Sequence, residues 1–271
     1  MPFTSPSAHT IALFGAIFAA TAAVGQSTPV AHTRTPVLVE LFTSEGCSSC
    51  PPADALLARL LHEQPVPGAD IIVLEEHVDY WEGLGWHDRF SSHQFTERQT
   101  EYAQRMRLDS PYTPQMIADG TDQFVGNDVA HALRAIAQAA QIAKPKLTLS
   151  PITVDGAHIA GEVSLTGGAA MPKGDIYAAV VESMASTKVH GGENGGRTLQ
   201  HVSVVRAMQR IGASMGATPM KFSLPVPNDV LPANVRVVVF LQSAGQGAIL
   251  GAVSSPGAPL PASTGTLASA R

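Results

Sequence analysis

Apolar and polar residues alternate in blocks along the first half of the chain. Continuous apolar runs at residues 37–42 and 71–74 predict buried strands. Residues 53–61 and 92–106 instead place their apolar side chains at the spacing of a helix that buries one side. Strands that alternate with helices in this way predict an α/β layer whose sheet is largely shielded from water.

A predicted hairpin and a final helix complete this half of the chain. Residues 115–118 and 123–125 are short runs on either side of Asp119-Gly120, a dipeptide favoured in tight hairpin turns. Residues 129–142 form an alanine-rich stretch with helical periodicity. The first predicted domain therefore spans residues 34–144.

The pattern changes after Pro145 to short runs that alternate apolar and polar residues. The runs predicted to be strands are residues 146–149, 152–154, 161–165, 176–181, 221–224, 235–241 and 248–253. Turn signals such as Asp155-Gly156 separate them. Several short strands with intervening turns predict a small all-β, sandwich-like domain over residues 145–253.

Both ends of the chain differ from these two predicted domains. Residues 11–24 are small or apolar and too few to span a membrane, which is typical of a secretory leader. We predict a signal peptide over residues 1–26; the absence of Lys and Arg before residue 11 leaves a buried helix as the alternative. Residues 254–271 are rich in Pro, Ser, Gly and Ala and predict a disordered tail. The expected location is periplasmic or secreted, with no stable membrane span after leader removal.

Composition narrows the class of function. Charged residues make up 14% of the 271 residues, the formal net charge is −5, and the basic residues are scattered. A nucleic-acid-binding protein needs a concentrated basic surface, so this class is excluded. The chain has only two cysteines, so disulfides cannot replace a hydrophobic core.

Both cysteines belong to one motif, Cys47-Ser48-Ser49-Cys50, which lies between a predicted strand and a predicted helix. A thiol at the N-terminal end of a helix faces unpaired amides and the positive end of the helix dipole, which favour the thiolate. Cys47 would then be the nucleophile, and Cys50 would resolve the mixed disulfide. The motif therefore predicts thiol–disulfide exchange.

Two other roles of the cysteine pair stay open. One is a structural disulfide, although closing a four-residue loop stabilises by only roughly 1.9 kcal/mol, against about 4.7 kcal/mol for a loop of about 100 residues. The other is a metal site, although a structural zinc site needs four ligands and the chain has no second cysteine pair. The small stabilisation from a short loop and the lack of further cysteine ligands favour redox chemistry over these two roles.

The surroundings of the motif resemble the thioredoxin superfamily. Glu40 is the only ionisable residue in the apolar run before the motif, and Thr113-Pro114 precedes the predicted hairpin. The resemblance implies that Glu40, with a pKa raised by burial, accepts the proton of the resolving thiol. It also implies a cis peptide bond at Thr113-Pro114 and backbone pairing with a substrate chain at that point. A partly exposed Glu40 and an ordinary trans proline are the alternatives.

The motif also departs from thioredoxin itself. Glu45 should oppose the formation of a nearby thiolate, whereas the hydroxyls of the two intervening serines favour it. Pro51-Pro52 fits only the first turn of a helix, so the helix should begin at or just before Cys50. This start weakens the effect of the helix dipole on Cys47.

A closer resemblance covers residues 36–253. The segments that carry it are residues 42–54, His77-Val78-Asp79-Tyr80-Trp81, Leu84-Gly85-Trp86, residues 192–199 and residues 201–206. They look like a bacterial family of secreted, thioredoxin-like proteins known as a domain of unknown function. The resemblance implies architecture and export, but fold alone does not define an activity. We interpret Arg197 and His201, beside a glycine-rich loop, as bonding the backbone between domains.

Aromatic residues and histidines follow the second predicted strand. Loops at the C-terminal ends of strands line the sites of α/β proteins, so Trp81 and Trp86 are candidates for binding an apolar substrate surface. Packing inside the protein is the alternative for both rings. A rival function is copper transfer through Cys47, Cys50 and His77.

We therefore predict an exported thiol–disulfide exchange protein without a resident metal or cofactor. Its expected partners are a protein or peptide thiol or disulfide and a redox partner protein. The predicted catalytic residues are Cys47, Cys50 and Glu40, and the predicted substrate-binding residues are Thr113, Pro114, Trp81 and Trp86. The alternatives are the copper carrier and a non-catalytic binding module with a structural disulfide.

Overall fold

A computed structural model describes residues 1–3, 34–155, 157–166, 172–213 and 218–256 of the protein. The predicted signal peptide and C-terminal tail lie outside the described residues, apart from Met1–Phe3 and residues 254–256. None of the helices in the described ranges is long and apolar enough to cross a membrane.

The first half of the chain contains three helices and four strands in the described residues. They are β1 (Thr35–Thr43), α1 (Pro51–Glu63), β2 (Ala69–His77), α2 (His93–Met106), β3 (Gln115–Ala118), β4 (Asp122–Val125) and α3 (Val129–Ala139). Cys50 occupies the N-cap position of α1, and Pro51 and Pro52 occupy the first two helical positions. Proline fits there because these positions have no helical partner for an N–H. Ser92 caps α2, because its hydroxyl accepts a hydrogen bond from the backbone of Gln94. The predicted alternation of strands and helices is confirmed.

The second half is built from strands. They are β5 (Lys146–Leu149), β6 (Thr153–Asp155), β7 (His158–Thr166), β8 (Asp175–Lys188), β9 (Thr198–Ala213), β10 (Met220–Pro225), β11 (Val235–Gln242) and β12 (Ile249–Ser254), with a short 3₁₀ turn at Pro232–Asn234. The sequence patterns predicted all of these strands except β9. With 16 residues, β9 is the longest strand of the described chain.

Strands from both halves join one sheet, in the order β12-β11-β8-β9-β2-β1-β3-β4. The strand β2 pairs in parallel with β1 on one side and with β9 on the other. A smaller sheet has the order β10-β7-β5, and β6 pairs with β7. The sequence predicted a domain boundary near residue 145. In the structure, β9 from the second half pairs with β2 from the first half and covers an edge of β2 that would otherwise be exposed. The described chain shows an α/β sheet and no separate all-β domain.

Side chains of β1 alternate between the two faces of the large sheet, as they do in any strand. Leu41 packs with α1 and α3 on one face. Leu38 and Phe42 pack with α2 on the opposite face. The smaller sheet packs on β8 and β11 through a second apolar cluster. The end of β1, and with it the cysteine motif, therefore lies where α1, β2 and β9 meet.

Candidate functional site: a covered disulfide above an acid–base cluster

Cys47 and Cys50 form a disulfide at the start of α1, with their Cα atoms 5.4 Å apart. Both cysteines have no exposed surface, whereas Ser48 and Ser49 between them are exposed. The Ser49 hydroxyl oxygen lies 3.4 Å from the Sγ atom of Cys47. The disulfide therefore sits just below the protein surface, under two serines.

The connection between β8 and β9 is hydrogen-bonded to the motif that carries this disulfide. We call residues 189–197 the cover segment. The side-chain amide of Asn194 donates to the carbonyl oxygens of Glu45 and Cys47, both at 2.9 Å. The carboxylate of Glu193 accepts a hydrogen bond from the backbone N–H of Ser48 at 3.0 Å. The cover segment thus closes over the motif from the second half of the chain.

The Thr113-Pro114 peptide bond is cis, as predicted. Gly126 shows where this proline lies, since a Cβ added there would meet the Cβ of Pro114 at 3.0 Å and the Cβ of Ala53 at 2.9 Å. Ala53 belongs to the first turn of α1, and its N–H donates to the carbonyl oxygen of Cys50 at 2.8 Å. The structure therefore places the cis-proline beside the first turn of the helix that carries the disulfide.

Both tryptophans are half-buried and flank the motif. The indole N–H of Trp81 donates to the Thr113 hydroxyl at 2.8 Å, and a Cβ added at Gly46 would lie 3.2 Å from the Cβ of Trp81. The indole N–H of Trp86 donates to the Glu45 carboxylate at 2.8 Å. Both rings thus lie beside the motif, and both use their polar atoms within the protein.

Glu40 lies on the face of the sheet opposite α1, because its position in β1 matches that of Leu38 and Phe42. Arg98 donates from Nε to its carboxylate at 2.7 Å, and the Tyr102 hydroxyl donates to it at 2.6 Å. Both partners belong to α2. The carboxylate of Glu40 is engaged in this network and does not face the helix of the cysteines, which corrects its expected role as their proton acceptor.

A different buried acid, Asp54, lies one helical turn after Cys50 on the inner side of α1. Its backbone N–H donates to the carbonyl oxygen of Cys50 at 3.1 Å, and its carboxylate accepts a hydrogen bond from the Thr43 hydroxyl at 2.7 Å. Burial, together with the charge of Glu75, raises the pKa of Asp54 to about 7. No pattern in the sequence singles out Asp54, because an acid in the first turn of a helix is common.

Below the motif lies a buried cluster of two histidines and three acids. The imidazole Nδ1 of His201 lies 2.6 Å from Glu75 Oε1, and Nδ1 of His77 lies 2.7 Å from Asp88 Oδ2. His201 Nε2 lies 3.5 Å from Glu45 Oε1. We call Glu45, Glu75, His77, Asp88 and His201 the acid–base cluster; all five are buried.

The ionisable groups of the acid–base cluster shift one another's pKa values. Burial lowers the pKa of His77, but the charge of Asp88 and the hydrogen bonds with Asp88 and Glu75 together outweigh it and raise that pKa to about 9. Burial likewise lowers the pKa of His201, but Glu75, Glu45 and Asp54 together raise it well above the usual value. Burial favours the neutral acid at Glu75 and Asp88, yet the imidazoles lower both pKa values to about 2. The two imidazoles and the carboxylates of Glu75 and Asp88 thus favour each other's charged forms within the buried cluster.

The structure places both His77 and His201 in the acid–base cluster. His77 directs its ring nitrogens at Asp88 and Glu75, so in this structure it belongs to the acid–base cluster and forms no ligand set with the disulfide-bonded cysteines. His201 lies within β9 with a buried side chain, and its ring contacts a carboxylate instead of the backbone. A sequence signal for this cluster existed, since Glu75-Glu76-His77 extends an apolar strand run with charged residues.

A cavity of about 1000 Å³ lies elsewhere in the described residues. It is lined by Arg34, Lys144 and Arg236, among other residues, and includes Thr35 and Pro36 at the start of β1. The disulfide follows the other end of that strand. The cavity is therefore no part of the candidate site.

Fold and site together define a class of α/β protein in which one mixed sheet carries a covered disulfide beside a buried acid–base cluster. A family model described as "Protein of unknown function (DUF1223)" matches residues 38–242, and the chain belongs to this family. A search of curated proteins found no match.

Two solved structures resemble the chain to different degrees. The crystal structure of protein AGR_C_4864 from Agrobacterium tumefaciens is 29% identical, with a TM-score of 0.62, and the match covers 82% of this chain and 94% of that chain. A domain of the outer membrane lipoprotein Omp28 from Porphyromonas gingivalis is 14% identical over 44% of this chain and 93% of that chain. Its TM-score of 0.29 is too low to support an argument.

Proposed function

We propose that the protein performs thiol–disulfide exchange through Cys47 and Cys50 within a thioredoxin-like unit. The strand order β2-β1-β3-β4 supports such a unit, with β1 parallel to β2 and antiparallel to β3. The observation that carries the proposal is the disulfide at the start of α1 with the cis Thr113-Pro114 bond beside the first turn of that helix. A dithiol pair at a helix start is suited to exchange with a peptide.

The proposed reaction starts from the disulfide form of the protein. A substrate thiolate attacks Cys47 Sγ, the bond to Cys50 breaks, and Cys50 Sγ leaves with the electron pair and takes up a proton. A second substrate thiolate then attacks the substrate sulfur of the mixed disulfide and releases Cys47 as a thiolate, which is protonated. The protein disulfide gains two electrons and two protons, and a peptide dithiol becomes a disulfide.

Substrate access requires movement of the cover segment. Neither cysteine has exposed surface. The side chains of Asn194 and Glu193 form hydrogen bonds with the backbone of Cys47 and Ser48. Opening of this segment would break the two hydrogen bonds of the Asn194 amide and the one to the Glu193 carboxylate. The partner in this proposal is a protein or peptide thiol, and the export predicted from the N-terminal sequence would bring the protein into an oxidising compartment.

The proposal is tested by reacting the purified disulfide form with a reduced peptide dithiol. Wild type should form one peptide disulfide per protein molecule, and Cys47→Ser should form none. Cys50→Ser, which starts as a free Cys47 thiol, is instead reacted with the peptide disulfide and should retain the peptide in a mixed disulfide with Cys47, which mass spectrometry detects. Ser48→Ala is the matched control, since it changes an exposed side chain within the motif and leaves both sulfur atoms in place. Equal turnover by wild type and Cys47→Ser would exclude the proposed reaction.

We propose that Asp54 is the proton donor to Cys50. Asp54 is mostly protonated below its pKa of about 7. The rate of reduction of the Cys47–Cys50 disulfide, divided by the concentration of substrate thiolate, should therefore fall as pH rises through 7. Asp54→Asn should remove this inflection. Thr43→Val should move it to higher pH, because the Thr43 hydroxyl stabilises the ionised carboxylate. Stopped-flow tryptophan fluorescence measures the rates, and an unchanged profile in Asp54→Asn would contradict this role.

The alternative is a binding module with a structural disulfide, and the complete burial of both cysteines favours it. The reduction potential separates the two functions. A potential below about −300 mV marks a structural bridge, whereas exchange proteins lie above this value. Equilibration with glutathione followed by thiol alkylation gives the potential directly.

A further inference from the structure

The acid–base cluster contains a group of side chains that the proposed exchange does not use. One ligand atom from each of Glu75, His77 and His201 lies within 4.8 Å of the others. All three side chains are buried. Two imidazoles and a carboxylate form a ligand set suited to divalent first-row transition metals.

A second observation points to a ligand at this place. Among the described residues, Glu45 Oε1, His77 Nε2 and His201 Nε2 are buried without a hydrogen-bond partner. His77 Nε2 lies 3.4 Å from Glu75 Oε1, and His201 Nε2 lies 3.5 Å from Glu45 Oε1. Buried polar atoms normally have a partner, and leaving them without one is unfavourable. A bound cation would displace the Nε2 protons of the two imidazoles and give all three atoms a partner.

The outer contact of His77 also fits metal binding. His77 Nδ1 lies 2.7 Å from the carboxylate of Asp88, so its Nε2 atom is left to face Glu75. The Asp88 carboxylate is itself fixed by the backbone N–H groups of Glu45 and Phe90, both at 2.9 Å. A carboxylate behind a metal-bound histidine is a recurrent arrangement, because it fixes the orientation of the ring.

We propose that Glu75, His77 and His201 bind one divalent transition-metal ion of the zinc class. Glu75 and His77 end strand β2, and His201 lies in β9. The register of these two parallel strands contains the single pair Glu75 and Val204, so a shared ion would fasten the seam at which both halves of the chain meet. The site contains no sulfur and does not depend on the proposed exchange.

The test loads chelator-treated full-length protein with Zn²⁺, both in the native state and during refolding. Elemental analysis after gel filtration should give one zinc per chain, and the thermal midpoint should rise with Zn²⁺ and return to its starting value with EDTA. Loading with Co²⁺ should give d–d absorption without a thiolate charge-transfer band. The double variant Cys47→Ser/Cys50→Ser should give the same cobalt spectrum.

Two histidine variants locate the ion. His201→Asn should lose the stoichiometric zinc, whereas His93→Asn should keep it, because the His93 side chain is 72% exposed and lies outside the cluster. The cobalt spectrum of the wild type decides the question if His201→Asn does not fold. Absence of stoichiometric metal under both loading conditions, a thiolate band, or zinc retained in folded His201→Asn would each overturn the proposal.

Discussion

Replacing Arg98 with methionine should lower the free energy of unfolding by about 3–5 kcal/mol, because loss of one partner leaves a buried charge uncompensated. The Arg98 side chain is 4% exposed, that of Glu40 is 0% exposed, and their closest N–O distance is 2.5 Å. Arg98 also donates to the side-chain oxygens of Gln242 and Gln246 at 3.1 and 2.9 Å. One substitution thus removes bonds that tie α2 to β1 and to the end of β11.

Urea denaturation measures this loss against a matched arginine. Arg59→Met removes an ion pair with Glu63 in which the side chains are 58% and 53% exposed, and such pairs contribute less than about 1 kcal/mol. The double variant Glu40→Gln/Arg98→Met should recover part of the loss, since it leaves no unpaired charge at this pair. A loss in Arg98→Met as small as that in Arg59→Met would show that the network adds little.

Local structure near the motif follows from residues adjacent in sequence. Pro51 and Pro52 lack an N–H and therefore place the start of α1 at Cys50, as the sequence predicted. Ser92 at the start of α2 and Asp119-Gly120 in the hairpin follow similarly local rules. The bounds of these elements were therefore predictable from the sequence.

The face on which Glu40 lies was not predictable in the same way. Residues 37–42 are apolar at nearly every position, so the run predicts a strand buried on both faces but does not show which helix each side chain meets. The partner that decides the position of Glu40 is Arg98, 58 residues away along the chain. Long-range pairing of this kind determines the candidate site more than local propensity does.

The strand β9 escaped prediction for a related reason. Its buried positions include His201 and Ser203, and it exposes or half-exposes every residue from Gln209 onwards, so no continuous apolar run marks it. Its pairing with β8 shifts register between Val180 and Val181, which interrupts regular alternation. Without β9, the sequence could place neither His201 beside Glu75 nor the cover segment above the cysteines.

Replacing Asn194 with alanine should accelerate reduction of the Cys47–Cys50 disulfide roughly 5- to 150-fold. The Asn194 amide makes two hydrogen bonds to the backbone of the motif, each at 2.9 Å. Bonds of this type contribute about 0.5–1.5 kcal/mol each, and about 1.4 kcal/mol corresponds to a tenfold change in an equilibrium constant. If reduction proceeds from the open state, the rate rises in proportion to the population of that state.

The rate is measured by adding a phosphine reductant under native conditions and alkylating the released thiols at intervals. Asn234→Ala is the matched control, because Asn234 also bonds a backbone carbonyl, that of Met184 at 2.7 Å, but lies away from the motif. It should reduce at the wild-type rate even where its stability falls. Glu193→Gln should give a smaller acceleration than Asn194→Ala, since it weakens a single bond to Ser48.

The same experiment separates a local cover from global unfolding. If the disulfide is reached only when the whole protein unfolds, the reduction rate should follow the free energy of unfolding in all three variants. If the cover segment opens by itself, Asn194→Ala should accelerate reduction beyond its effect on global stability. Equal rates in wild type and Asn194→Ala would mean that the cover segment does not control access, and the exchange proposed for Cys47 would then need another route to its substrate.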